Sequence, residues 1–130
     1  MKTAVVVEPV RCVIDQRGLL FEPIGGDLIK QQRNVHIVLT EPGCIRGNHT
    51  HKIGTETVVV TGEALVRLKE HDVVKDYLVH EGEARRFIIP PGVPHAFKSI
   101  GTRPMLLVTF NSVPHDPAMP DTVKETLIKD

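Results

Sequence analysis

The segment Pro42–Gly62, PGCIRGNHTHKIGTETVVVTG, constrains the fold more than any other part of this chain. His49 and His51 stand one residue apart, so on an extended strand both imidazoles project from the same face and can converge on one point. A turn signal at Lys52–Thr55 follows. The β-branched run Thr57–Thr61, closed by Gly62, then reads as a strand ending in a tight turn. Downstream, IIPPGVPH at 88–95 ends another strand in a Pro/Gly turn and delivers a third histidine, His95.

The remainder reads as short extended segments separated by turns. Val5–Glu8 and Arg11–Ile14 are strands interrupted by Pro9, and Asp15–Gly18 has the charge and glycine of a reversal into Leu19–Glu22. Asp27–Arg33 is a polar connection with room for one helical turn. Asn34–Thr40 alternates, with Val35, Ile37 and Leu39 on one side and His36, Val38 and Thr40 on the other. Ala64–Glu70 alternates again and turns at His71-Asp72 into Val73–Val79. Met105–Asn111 is almost continuously apolar, the mark of a strand buried on both faces. Three prolines between Pro114 and Pro120 keep that tail out of any central strand, after which Asp121 can cap a short helix through Leu127. Many short strands with Pro/Gly turns mean an all-β sandwich or barrel.

With 130 residues, the expectation is one domain, 1–130, whose core lies at about 34–112. Sixteen basic side chains balance sixteen acidic ones, which gives no chain-wide attraction for nucleic acid or an anionic membrane. The opening apolar run, Ala4–Val7, is too short for a secretory signal, and no later run spans a bilayer; the expected setting is cytoplasmic. Cys12 and Cys44 lack clustered spacing and read as buried small hydrophobes in a reducing compartment. Of the other histidines, His36 reads as a satisfied sheet residue, while His71, His80 and His115 fall in turns or the tail.

Gly43, His49, His51 and Gly62 resemble the first motif of the cupins, and Pro90, Gly92 and His95 resemble the core of the second. Two departures stand out in the second motif: Gly82 precedes Pro90 by more than the usual spacing, and Ser99 stands where asparagine is common. The resemblance implies a jelly-roll, or double-stranded β-helix, barrel with a short C-terminal helix or tail. It also implies a divalent transition metal, with zinc first and iron, manganese or nickel as alternatives, held by His49, His51, His95 and a glutamate. Counted from His51, Glu56 fits the glutamate position; counted back from Gly62, Thr55 occupies it. A one-residue slip on a strand sends a side chain to the opposite face, so either a bulge near Gly54 turns Glu56 inward or the site has three histidines alone. Three histidines can hold a metal or act as acid/base groups in a metal-free pocket.

Narrower likenesses point to one branch. Asp15-Gln16-Arg17-Gly18 through Glu22 and Ile45-Arg46-Gly47-Asn48-His49 are similar to segments of the nucleotide-sugar epimerases, and Arg46 to Lys52 also resembles the dTDP-sugar ketoisomerases. Asp116–Thr122 is similar to the tail of the cupin domain in capsular-polysaccharide hexulose reductases and epimerases. These resemblances imply proton transfer next to a keto group of a nucleotide sugar, in surface-polysaccharide or deoxysugar synthesis. His49 would be the base, His51 and His95 metal ligands or proton shuttle and oxyanion donor, and Arg46 a diphosphate contact. Tyr77 does not match the position of the epimerases' acid, which favours same-face isomerisation. The alternatives are a metal-dependent cupin with another substrate, such as a dioxygenase or small-acid isomerase, and a non-catalytic ligand-binding cupin. A homodimer formed by exchange of Val5–Glu8 completes the expectations.

Overall fold

The computed structural model describes residues 4–130. Its strands are β1 (Val6–Val10), β2 (Cys12–Asp15), β3 (Gly18–Phe21), β4 (Asn34–Thr40), β5 (Ile45–His51), β6 (Glu56–Thr61), β7 (Ala64–Glu70), β8 (Val73–Val79), β9 (Ala84–Ile89), β10 (His95–Ser99), β11 (Met105–Asn111) and β12 (Thr122–Lys124). A single helical turn, α1 (Gly26–Lys30), sits in the polar connection. Two five-stranded antiparallel sheets, ordered β1-β9-β6-β11-β4 and β12-β5-β10-β7-β8, carry the architecture, with β2–β3 as a separate hairpin. No helix among the described residues is long and apolar enough to cross a membrane.

The two sheets bury one cluster between them: Val58, Val60, Phe87 and Leu107 from the first meet Val66, Leu68 and Phe97 from the second. This is the barrel that the cupin motifs imply. The outer face of the first sheet is partly covered too, because Val59, Val10 and Ala84 pack under Cys12 and Phe21 of the hairpin. Burial on both faces explains why β6 is an unbroken β-branched run and not an alternating one. The barrel extends past the expected 34–112 core, taking in β1 at one sheet edge and β12 at the other.

The packing corrects the expected C-terminal helix and the expected burial of the cysteines. The C-terminal helix does not form: the Asp121 carboxylate accepts from the Ile53 and Gly54 N–H groups instead of capping a helix, and Thr122–Lys124 pairs with His51–His49 as β12. Within the single chain, β1 pairs with β9, Val6 opposite Ile88 through Val10 opposite Ala84. Both cysteines are free, but only Cys12 is partly buried and Cys44 is exposed.

β4 places its apolar side outward. Its register against β11 aligns Val38 with Leu107 and Thr40 with Met105, and Val38 packs against the internal cluster while Thr40 is buried. Val35, Ile37 and Leu39 are left 56%, 69% and 59% exposed.

Candidate functional site

One glycine-dependent approach and one bulge bring the histidine strands together. Gly47 (φ +84) lets β5 approach β10, since a Cβ there would lie 2.8 Å from the His95 carbonyl oxygen. Asn48, at φ 57, is skipped in the pairing: His95 aligns with His49 and Ala96 with Gly47. This bulge lets His49 and Arg46, three positions apart, pair with His95 and Phe97, which face the interior.

The result is a buried donor cluster. His49, His51, Glu56 and His95 each offer one ligand atom, and these atoms all lie within 4.8 Å of one another. The ring centroids of His49 lie 5.1 Å from His51 and 4.7 Å from His95. His51 Nε2 is 3.3 Å from Glu56 Oε1, and His95 Nε2 is 2.9 Å from Glu56 Oε2. The His95 Nδ1–H donates to the Val93 carbonyl at 2.9 Å, which orients the ring with Nε2 toward the cluster. The Nε2 atoms of His49 and His95 are buried and have no hydrogen-bond partner.

Glu56 faces inward, and Thr55 takes no part in the cluster. The expected bulge near Gly54 is not the cause. Residues 52–55 cross from one sheet to the other, so the parity of β5 is not transmitted to β6. The inward direction of Glu56 is set by its pairing with Asn111 and Ile89, which puts Glu56, Val58 and Val60 on the interior side. Thr55 instead receives a hydrogen bond at its carbonyl from Ser112 N–H and donates its own N–H to Ser112 Oγ.

Electrostatics separate the members of the cluster. Burial, reinforced by the neighbouring His95, lowers His49 to about 4 against the opposing pull of Glu56. Burial alone would raise Glu56, but His95 and His51 outweigh it and hold the carboxyl well below its usual range. His95 is raised: burial acts to lower it, and the charge and contact of Glu56 overcome that. Three imidazoles and a carboxylate, two of them with orphaned inward nitrogens, are a donor set that fits a divalent transition metal.

A cavity of about 170 Å³ opens onto His49, His51 and Glu56, lined also by His36, Asn111, His115 and Asp121. His36 is therefore an exposed residue at the mouth, not a satisfied sheet histidine, and His115 reaches the same cavity from the tail. A larger cleft of about 540 Å³ beside the Pro90–Pro94 turn touches none of the four donors, so we place the chemistry in the smaller one. Arg46 does not line this cavity; its exposed side chain crosses toward β4 and donates Nε–H to Thr40 Oγ1 at 3.1 Å. Tyr77 packs on Phe87 at 5.7 Å between ring centroids and is likewise absent from the cavity lining.

Residues 13–123 match the polysaccharide biosynthesis C-terminal domain family. The chain belongs to this family. Solved structures show the same fold. CapF from Staphylococcus aureus, a capsular polysaccharide assembling protein, superposes with a TM-score of 0.68 at 24% identity over 92% of this chain, which spans 32% of CapF's length. QdtA, a sugar 3,4-ketoisomerase from Thermoanaerobacterium thermosaccharolyticum solved with TDP, gives a TM-score of 0.71 at 22% identity, covering 96% of this chain and 90% of that one. ChmJ, a 3'-monoepimerase from Streptomyces bikiniensis solved with dTDP-quinovose, gives 0.72 at 17% identity, covering 92% and 68%. Comparison with curated protein sequences returned no match.

In this polysaccharide biosynthesis C-terminal domain, sequence reasoning missed two residues that shape the site. Asn48 accepts from the Leu127 and Ile128 N–H groups through Oδ1 and donates Nδ2–H to the Ile128 carbonyl, anchoring the tail across β5. Its signal was legible, since Gly47-Asn48 is a pair suited to positive φ. Asp121 lies 3.5 Å from His51 Nδ1, where its sequence reads as a helix cap and not as a partner of the site.

Proposed function

We propose that this domain is a metal-bearing cupin enzyme that moves a proton at the carbon next to a keto group of a nucleotide sugar, in polysaccharide biosynthesis. The observation that carries the reading is the buried quartet His49, His51, Glu56 and His95 with its two orphaned Nε2 atoms. The family match and the fold shared with QdtA and ChmJ supply the substrate class. A divalent metal, zinc first and iron, manganese or nickel as alternatives, would be held by these four residues and would supply Lewis-acid stabilisation of a developing enolate oxygen.

The protein's own groups then divide the work. His49, lowered to about 4, is a poor general base near neutral pH but is neutral and ready to ligate, which favours the ligand role over the base role. His95 is fixed by its bond to Val93 and contributes one directed nitrogen. Proton transfer then belongs to groups at the mouth, where His36 and His115 line the cavity. The tail residues Val113, Pro114 and Pro120 narrow that mouth and limit water around the reacting carbon. Arg46 contributes the diphosphate contact through the guanidinium nitrogens that its Nε bond to Thr40 leaves free.

The domain works as a homodimer in this reading, the outward Val35, Ile37 and Leu39 stripe of β4 packing against a second copy. The setting is cytoplasmic. The test is metal analysis of the purified chain together with deuterium incorporation from D2O into dTDP- and UDP-linked 4-keto-sugars. Stoichiometric metal lost in His49→Ala and His95→Ala, with label entering beside the carbonyl, is the expected result. Metal-free protein that still exchanges the label would overturn the metal assignment, and sugar binding without exchange would leave a binding cupin.

A further inference from the structure

His51 presents two different nitrogens to two different carboxylates. Nε2 donates to Glu56 Oε1 at 3.3 Å inside the metal-free cluster, while Nδ1 is buried, lacks a hydrogen-bond partner and lies 3.5 Å from Asp121 Oδ2. That separation is long for a hydrogen bond, so the contact as it stands is electrostatic.

Asp121 is held in place by its surroundings. Oδ1 accepts from Ile53 N–H at 2.9 Å, Oδ2 from Gly54 N–H at 2.8 Å, and the Asp121 carbonyl from Lys52 N–H at 2.8 Å. The next residue, Thr122, pairs with His51 itself. Gly54 is part of the same arrangement, because a Cβ there would lie 3.0 Å from Asp121 Oδ2. The Asp121 carboxylate thus ties down Ile53 and Gly54 in the crossing between His51 and Glu56, and the oxygen that bonds Gly54 also faces the His51 ring.

We propose that Asp121 is a positioning residue for the metal centre: when a metal takes up Nε2, the Asp121 carboxylate accepts from the Nδ1–H that the ligating His51 ring then carries, holding the ring toward Glu56, His49 and His95, and so couples docking of β12 to metal affinity. The inference rests on the metal reading above. A ligating imidazole whose outer N–H meets a carboxylate is locked in orientation and made more basic, and loss of such a partner typically weakens metal binding by about 10- to 100-fold. Asp121 sits on the far side of the ring from the cluster, so it acts through His51 and not as a further ligand.

The experiment uses the full chain, wild type, Asp121→Asn and Asp121→Glu. Zinc affinity is measured by competition with a chromophoric chelator, and the solvent exchange of the His51 Nδ1–H by NMR of the zinc-loaded proteins. The expected results are a slowly exchanging, hydrogen-bonded Nδ1–H in the wild type and its fast exchange in Asp121→Asn. With it go zinc binding weaker by about 10- to 100-fold in Asp121→Asn and partial recovery in Asp121→Glu. Unchanged zinc affinity in a folded Asp121→Asn protein, or a wild-type Nδ1–H that exchanges as fast as in the variant, overturns the proposal. Absence of zinc uptake by the wild type overturns the metal reading and the proposal with it, an outcome distinct from zinc bound equally well by wild type and variant. If Asp121→Asn does not fold, the wild-type Nδ1–H exchange and Asp121→Glu carry the decision.

Discussion

His95 Nε2 lies 2.9 Å from Glu56 Oε2 without making a directed hydrogen bond to it. Two groups that close, both buried, would normally align on each other. Here each is held by something else, His95 by the Val93 carbonyl and Glu56 by the pairing of β6 with β9 and β11, and their free valences point into a space shared with His49 and His51. The geometry is that of donors around a common centre.

Glu56→Gln keeps the shape and removes the charge. In the metal-free protein the raised His95 loses its anionic partner, and a cost of about 1–3 kcal/mol is expected in urea unfolding with chelator present. Zinc affinity is expected to fall by at least the roughly 10- to 100-fold typical of losing an outer partner. A variant with wild-type stability and wild-type metal content would contradict the cluster assignment.

The pH response of the metal-free protein follows from His49. Its folded value of about 4 lies below the ordinary 6.5, so between these values the unfolded chain binds more protons and stability is lost as pH falls. His49 is partly exposed, so solvent screening reduces the effect. Glu56, depressed in the fold, adds a contribution that is present above 4.5 and lost as pH falls further. His95 acts in the opposite sense: being raised, it stabilises below 6.5, and that contribution fades as pH rises through its folded value. NMR titration of the His49 ring is expected to give a midpoint near 4; a midpoint at 6.5 would refute the desolvated environment.

Gly54→Ala tests the packing of the crossing. A Cβ there would lie 2.3 Å from Asn111 Oδ1 and 3.0 Å from both Asp121 Oδ2 and Val113 Cγ2, so the turn must move. Thermal unfolding is expected to show a loss of about 1–3 kcal/mol. Alanine tolerated at no cost would mean that the crossing is looser than described.

Ile37→Lys, at a position 69% exposed, tests the proposed dimer. The wild type is expected to run as a dimer in sedimentation and the variant as a monomer of similar melting temperature. A wild-type monomer at micromolar concentration removes the homodimer.

The barrel and three of the four donors were legible because period-two alternation on a strand is a local property: His49 and His51 had to share a face, and the Pro/Gly turn before His95 placed it at a strand start. The direction of Glu56 was not legible. It depends on which sheet β6 joins and on the register it adopts there, information held by Asn111 and Ile89, tens of residues away. β4 shows the same limit from the other side: its alternation was plain, but its register with β11 turned the polar side inward. The final strand was hidden because Thr122–Lys124 is too short a run for the propensity of Thr122 and Val123 to outweigh the cap signal of Asp121, and it pairs only through a neighbour's edge.

The strand bearing His49 and His51 lies one position in from the sheet's end because β12 lies alongside it, with Asn48 gripping the backbone at Leu127 and Ile128. Clipping the polypeptide just before Asp121 would strip this cover and expose a row of unsatisfied amides and carbonyls beside the donor histidines. The damage would then show as self-association through that bared border, alongside the loss of Asp121 from beside His51, so these residues guard solubility as well as the donor cluster.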